Sequence, residues 1–290
     1  MAPTKQIYIV LYCIVLTEAK LQKTVEAPNP VYGFAVLDKK LYVLRKLPSE
    51  QIHVYDTKNY EKERTINVDG LAVNCYNDLT ECKAENCLFV SDFVAKCIRK
   101  VTSKGEVSKF VDVPYEPKGL SITPEGHLLV ACNPNKLVEL NVKTGQKVCE
   151  VELKLEINWP KHAVKSTDGK YVVSHSEKGG LSRVCRVGKD GYYRHCFGAM
   201  EGSGQDQLNN PCHVAVWEKK DNLVIVADND NNRLVLLDEH LDYVDELVEK
   251  FNEPCRVWFD SDSQYLYVGE DVDGGSFRVY YVSTRPWPLA

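Results

Sequence analysis

Residues 211–238 read PCHVAVWEKKDNLVIVADNDNNRLVLLD. Three apolar runs stand out: PCHVAVW, LVIVAD and RLVLLD. They are rich in Val, Ile and Leu and too short for globular helices, so they read as β-strands. The polar letters between the last two runs raise a metal question. Asp228, Asp230 and Asn232 fall at positions one, three and five of a calcium loop, and Glu239 falls at position twelve. An EF-hand also needs glycine at position six and a helix on either side. Here position six is Arg233 and both flanks are strands, so Asp228–Asn232 reads as a turn that bonds its own backbone. A looser cation site at Asp228 and Asp230 stays open.

The same three-run unit recurs along the chain. Second runs begin at Leu41, Leu88, Leu128, Tyr171, Leu223 and Tyr265. Third runs follow at Gln51, Cys97, Lys136, Arg183, Arg233 and Phe277. First runs read YGFAVL, GLAVNC, PKGLSI, PKHAVK, PCHVAV and PCRVWF, which places the second unit's first run at Gly70. Pro117 to Pro160 is 43 residues, Pro160 to Pro211 is 51, and Pro211 to Pro254 is 43. Repeats of about 40–45 residues with several short strands each are the mark of a β-propeller. The sequence therefore predicts an all-β fold, a six-bladed β-propeller of four-stranded antiparallel blades. The last unit supplies three strands, and Leu21–Ala27 is placed to add the fourth, closing the ring and covering a sheet edge.

Composition agrees with a soluble globular chain. Of 290 residues, 44% are apolar and 27% charged, with a net charge of −5, which exerts no general pull toward nucleic acid or anionic lipid. Residues 1–19 contain Lys5 and then an apolar run from Ile7 to Leu16. They fit either a short secretory signal or an apolar β-strand, and the run is too short for a membrane span. Residues 20–290 form one domain. Secreted and cytoplasmic placement both stay open, since no Asn-x-Ser/Thr sequon accompanies the leader-like segment. Of eleven cysteines, none shows zinc-type CxxC spacing. Cys82 and Cys87 are close in sequence. A two-residue turn at Asp190-Gly191 would set Cys185 opposite Cys196. These two pairs are the disulfide candidates; the other cysteines read as buried thiols.

Residues 202–238, GSGQDQLNNPCHVAVWEKKDNLVIVADNDNNRLVLLD, resemble an NHL repeat. Gly204-Gln205 and Leu208 match the start of that pattern, Pro211 its proline, and Asp228, Asn231 or Asn232, and Arg233 its end. Asp92 with Cys97-Ile98 repeats it more weakly. The resemblance spans about residues 20–283 and implies a propeller similar to the C-terminal domain of tripartite-motif proteins. Their RING, B-box and coiled coil have no counterpart here, so ubiquitin-ligase activity is not implied. NHL-like peptidyl-hydroxyglycine lyases use axial histidines with zinc. His162 and His213 hold equivalent places in neighbouring blades here, although the lyases' histidine directly follows the proline, where this chain has Lys161 and Cys212.

In a propeller, the loops between blades and between second and third strands gather on one face around the axis. That face is expected to carry Tyr32, Arg45, Asp92, Lys118, Lys161, His162, His175, His213, Asp228, Asp230, Arg256 and Asp271. Mixed charge suits a protein or peptide partner, or a small polar ligand. No basic and aromatic cluster suggests nucleic acid. Motifs for a P-loop, HExxH or GxSxG are absent from the sequence. The leading expectation is a monomeric, non-catalytic binding or scaffold module without cofactor. The alternative is a metal-dependent lyase or hydrolase holding zinc or calcium through His162, His213 and His175.

Overall fold

The computed structural model describes residues 16–26, 29–45, 51–71, 77–154, 156–217, 223–247, 251–272 and 275–285. Short β-rich runs broken by turn residues cannot bury both faces of one sheet alone, so each sheet packs on its neighbours. Strand β1 (Leu16–Glu26) stands apart in sequence from the blade it completes. Blade 1 is β2 (Val31–Leu37), β3 (Lys40–Arg45), β4 (Gln51–Asp56) and β5 (Lys62–Asn67). Blade 2 is β6 (Leu79–Cys82), β7 (Cys87–Asp92), β8 (Cys97–Thr102) and β9 (Val107–Asp112). Blade 3 is β10 (Glu116–Ile122), β11 (His127–Asn133), β12 (Lys136–Asn141) and β13 (Lys147–Glu152). Blade 4 is β14 (Pro160–Lys165), β15 (Tyr171–Ser176), β16 (Ser182–Val187) and β17 (Tyr193–Phe197). Blade 5 is β18 (Pro211–Trp217), β19 (Leu223–Asp228), β20 (Arg233–Leu237) and β21 (Tyr243–Glu246). Blade 6 is β22 (Pro254–Asp260), β23 (Tyr265–Glu270) and β24 (Ser276–Arg285), with β1 as its outer strand.

The six antiparallel sheets are the predicted six-bladed propeller. β1 pairs antiparallel with β24, Val25 opposite Phe277 and Ala19 opposite Val282. It begins at Leu16 rather than Leu21 and so takes in the last four residues of the 1–19 segment. Among the described residues no helix is long and apolar enough to cross a membrane.

The core is divided into six apolar clusters, one in each gap between neighbouring blades. The gap between blades 6 and 1, for instance, joins Phe34 and Tyr55 to Tyr267 and Phe277. Inner strands are buried nearly throughout, as in β18, whereas the outer strand β5 exposes all but Ile66 and so alternates poorly in sequence. Each fully buried large side chain contributes about 1.5–3 kcal/mol of transfer free energy.

The first run of the second unit is not GLAVNC. Gly70 adopts φ 77° in a turn after blade 1, Leu71 packs into the gap between blades 1 and 2, and 72–76 lie outside the described residues. The inner strand is β6, whose sequence LTEC is shorter and more polar than its counterparts.

A second correction concerns the thiols. Cys185 and Cys196 are paired in register and form the expected disulfide. Cys82 and Cys87 are also opposite each other, but both remain free thiols. Burial pushes the Cys87 thiol up to about 12, which suppresses the thiolate that disulfide formation requires.

Candidate functional site

The inner strands share a local device. In five of them the ladder slips by one residue just after the first or second position: between Val31 and Gly33, Pro117 and Leu120, Pro160 and His162, Pro211 and His213, and Pro254 and Arg256. Proline suits such a start because it donates no ladder hydrogen bond. A bulge re-aims the side chain beside it. The aligned positions are Gly33, Asp78, Gly119, His162, His213 and Arg256, with Asp78 immediately ahead of β6. Two of the six are glycine for a steric reason. A Cβ on Gly33 would lie 2.5 Å from Leu79 Cβ, and one on Gly119 2.6 Å from His162 Cα. The other four meet at the axis.

Asp78 is the hub. Its Oδ1 accepts the N–H of Leu79 and its Oδ2 the N–H of Leu120 in the next blade, each at 2.8 Å. The same Oδ2 lies 3.5 Å from His213 Nε2 and 3.8 Å from His162 Nε2. Arg256 Nε stands 3.6 Å from Asp78 Oδ1. Arg256 donates to the backbone carbonyls of Tyr32, Cys255 and Asn77, at 2.6, 2.8 and 3.1 Å. The histidines stack with ring centroids 3.6 Å apart. His162 Nε2 donates to Leu120 O at 3.1 Å, which leaves its Nδ1 as the bare acceptor nitrogen. Both Nδ1 atoms are buried without a hydrogen-bond partner among the described residues.

These groups line an axial cavity of about 200 Å³. Leu120, Ile122, Val164, Val214, Val216 and Val257 make up much of the remaining wall. Burial, and then the neighbouring His213, drives the His162 pKa down to about 3. Burial also lowers His213, against the pull of Asp78. Burial works against ionisation of Asp78, but the His213 hydrogen bond and the nearby Arg256 guanidinium hold it below the usual carboxylate range. The site at neutral pH is thus a carboxylate, a guanidinium and two neutral imidazoles.

The other expected residues are distributed around this centre rather than joined to it. His175 is not a third axial ligand. It lies opposite Pro160 at the end of β15, where its Nε2 accepts from Arg183 Nε at 3.3 Å. The third convergent group is Asp78: one ligand atom from each of Asp78, His162 and His213 lies within 4.8 Å of the others. Asp228 spends its carboxylate inside the chain, accepting from Asn209 N, Asn231 Nδ2 and Arg233 Nε at 2.7, 2.8 and 2.8 Å. Asp92 does the same with Arg99 and the Ala95 N–H. Asp230 accepts from Asn210, and its loop Asn229–Asn231 is a 3-10 turn ending on left-handed Asn232. The turn reading of this stretch therefore holds, and Asp228 is not a free metal ligand.

Tyr32 lends its carbonyl to Arg256. Arg45 is buried, donates to Asn29 O and lies over the Phe277 ring. Lys118 is buried near the Phe93 and Trp159 rings, and burial, then Lys161, lowers its pKa to about 8. Asp271 follows β23, its backbone N–H bonded to Glu253 O. Asp78 was missed because its strand is polar, yet counting 41 residues back from Gly119 lands on it.

No family model matches the sequence, and no curated protein matches it. Solved structures do match in fold. A catalytically inactive histidine-to-alanine variant of virginiamycin B lyase from Staphylococcus aureus, with quinupristin, superposes with a TM-score of 0.65 at 14% identity, covering 91% of this chain and 99% of that one. A streptogramin B lyase gives 0.61 at 11% identity, over 93% and 98%. A protein of unknown function from Bacteroides thetaiotaomicron gives 0.67 at 13% identity, over 92% and 76%. At this identity the likeness is one of fold, a six-bladed propeller shared by lyases and by proteins of unknown function.

Proposed function

We propose that this protein is a ligand-binding propeller that takes a small polar molecule into its axial cavity, against Asp78, His162, His213 and Arg256. One observation carries the reading: four polar side chains from four blades converge on one cavity, and two buried imidazole nitrogens there have no partner among the described residues. Loop-face carboxylates such as Asp92 and Asp228 are tied to their own arginines, which favours the cavity over a protein docked on the rim. The NHL family reading belongs to the same proposal. It is supported by Arg233, which donates to Asp228 at the end of that motif and to the Gly204 and Gln207 carbonyls near its start.

Trp258 lines the cavity and serves as the reporter. The test is a panel of small polar molecules read by Trp258 fluorescence and thermal midpoint, with His213→Phe to block the cavity. Ligands that act on the wild type and not on His213→Phe are expected. A partner protein whose binding is unchanged by His213→Phe, with no small molecule acting, would overturn the reading.

A second reading, a metal-dependent lyase, is favoured by the convergence of Asp78, His162 and His213 and by lyases among the structural neighbours. Two neutral imidazoles and a carboxylate suit zinc, and these three residues would hold it. Bound zinc would act as a Lewis acid. Elemental analysis after zinc loading separates the two: one zinc per chain, lost in His162→Ala and His213→Ala, selects this reading, and no zinc removes it.

A further inference from the structure

The axial cavity has a second polar group that the site above does not use. Glu81 lies on β6, three residues after Asp78, so the two stand about 10 Å apart along the chain. Glu81 lines the same cavity. The residue is partly exposed, but its Oε2 is shut off from solvent and accepts no hydrogen bond among the described residues. Much of the wall between Asp78 and Glu81 is aliphatic, and Phe34, Trp258 and Phe259 add aromatic surface.

A buried carboxyl oxygen without a donor is costly, most of all when charged. Among the described residues no cation answers it closely. Lys83, one residue beyond the end of the strand, pulls on it, but Lys83 also pairs with Asp262 at 3.5 Å. Asp260 of β22 pushes the other way, and the Trp258 indole, as a hydrogen-bond donor to the carboxylate, favours its charged form while Oε2 stays without a donor.

We propose that Glu81 is the cation-binding end of the axial cavity and that its ligand carries a protonated amine on an apolar stem. The amine supplies both the missing donor and the missing positive charge, and the stem covers the aliphatic wall. An anionic head would meet the carboxyl unfavourably. The inference rests on the proposed role of the cavity and adds the chemical class of the ligand.

Burial, chiefly, raises Glu81 to about 7. Free protein at pH 6 therefore holds the proton on Glu81, and an alkylammonium ion that pairs with the carboxylate must displace it. His162, lowered to about 3, stays neutral there.

The test uses the n-alkylammonium chlorides from propyl to hexyl, with the matching sodium alkanoates and n-alcohols as controls. Calorimetry is run in buffers of different ionisation enthalpy at pH 6 and pH 8.5. Affinity should rise about fourfold per added methylene. Close to one proton should leave per ligand at pH 6 and almost none at pH 8.5. Glu81→Gln should bind the amines at least tenfold more weakly, without proton release, and bind the alcohols as before. Alkanoates binding better than amines, or amines binding without proton release at pH 6, would overturn the assignment of Glu81 while leaving the cavity as the site. If no compound of any class perturbs Trp258, the reading of the cavity itself falls. The proton count on the wild type decides the matter even if Glu81→Gln folds poorly.

Discussion

His162 and His213 lie face to face, their rings 21° from parallel, with their Nε2 atoms 3.8 and 3.5 Å from one oxygen of Asp78. Two imidazolium ions could not share that arrangement, so acid should be felt as lost stability. The folded His162 and His175 titrate near 3, and unfolded histidine near 6.5. Between those values the unfolded chain binds more protons, so stability falls as pH drops below about 6.5. Between pH 7 and 5 each of the two should remove at most about 2 kcal/mol. Urea midpoints across that window check this. A flat profile contradicts it, and His175→Phe should flatten the slope.

Asp78 should be the most costly axial residue to truncate. Asp78→Ala leaves the Leu120 N–H without its acceptor and removes the carboxylate facing Arg256. A loss of about 3–5 kcal/mol is expected. Asp78→Asn keeps one acceptor and should lose less. Equal losses in equilibrium urea unfolding would show that the carboxylate charge is irrelevant.

Calcium should leave the stretch 227–239 indifferent. Because Asp228 is already satisfied by Asn209, Asn231 and Arg233, millimolar calcium should not shift the thermal midpoint. Asp228→Ala should cost about 1–3 kcal/mol by leaving the Asn209 N–H and the Arg233 Nε without their acceptor. A calcium-dependent midpoint that vanishes in Asp228→Ala would reverse the turn reading.

The two halves of the covalent prediction are separable by mass. Alkylation in denaturant without reductant should modify at least the seven described free cysteines and spare Cys185 and Cys196. Reduction should cost about 2–3 kcal/mol, as expected for a short closed loop. Recovery of a Cys82–Cys87 peptide linked by sulfur would contradict the structure.

Trp217 tests the gap between blades 5 and 6. It is buried and packs on Phe259, ring centroids 4.8 Å apart. Trp217→Ala should cost about 3–5 kcal/mol, measured by urea unfolding.

The fold was legible where burial writes a pattern. Five inner strands are apolar runs, four of them opened by or just after a proline. β6 hid because LTEC lacks that pattern and because Gly70, a turn glycine, sat in front of a more apolar decoy. The site was half legible. His162, His213 and Arg256 shared a place in the repeat, but nothing local marks Asp78 or Glu81, whose importance comes from strands that meet only after the ring closes. His175 misled because it stands near the end of a second strand, where its ring pairs with Arg183 of the third. Cys82 and Cys87 showed that register brings two thiols together without oxidising them.

The recurring one-residue slip in the inner strands has an engineering consequence. It makes each of those five blades a mount with one position for a fitting. Swapping letters at His162, His213 or Arg256 changes what the pore presents while the six gaps keep their packing. The mounts at Gly33 and Gly119 are blocked by adjacent backbone and cannot accept a fitting. Any redesign of this pore must therefore work from one lopsided arc of the ring.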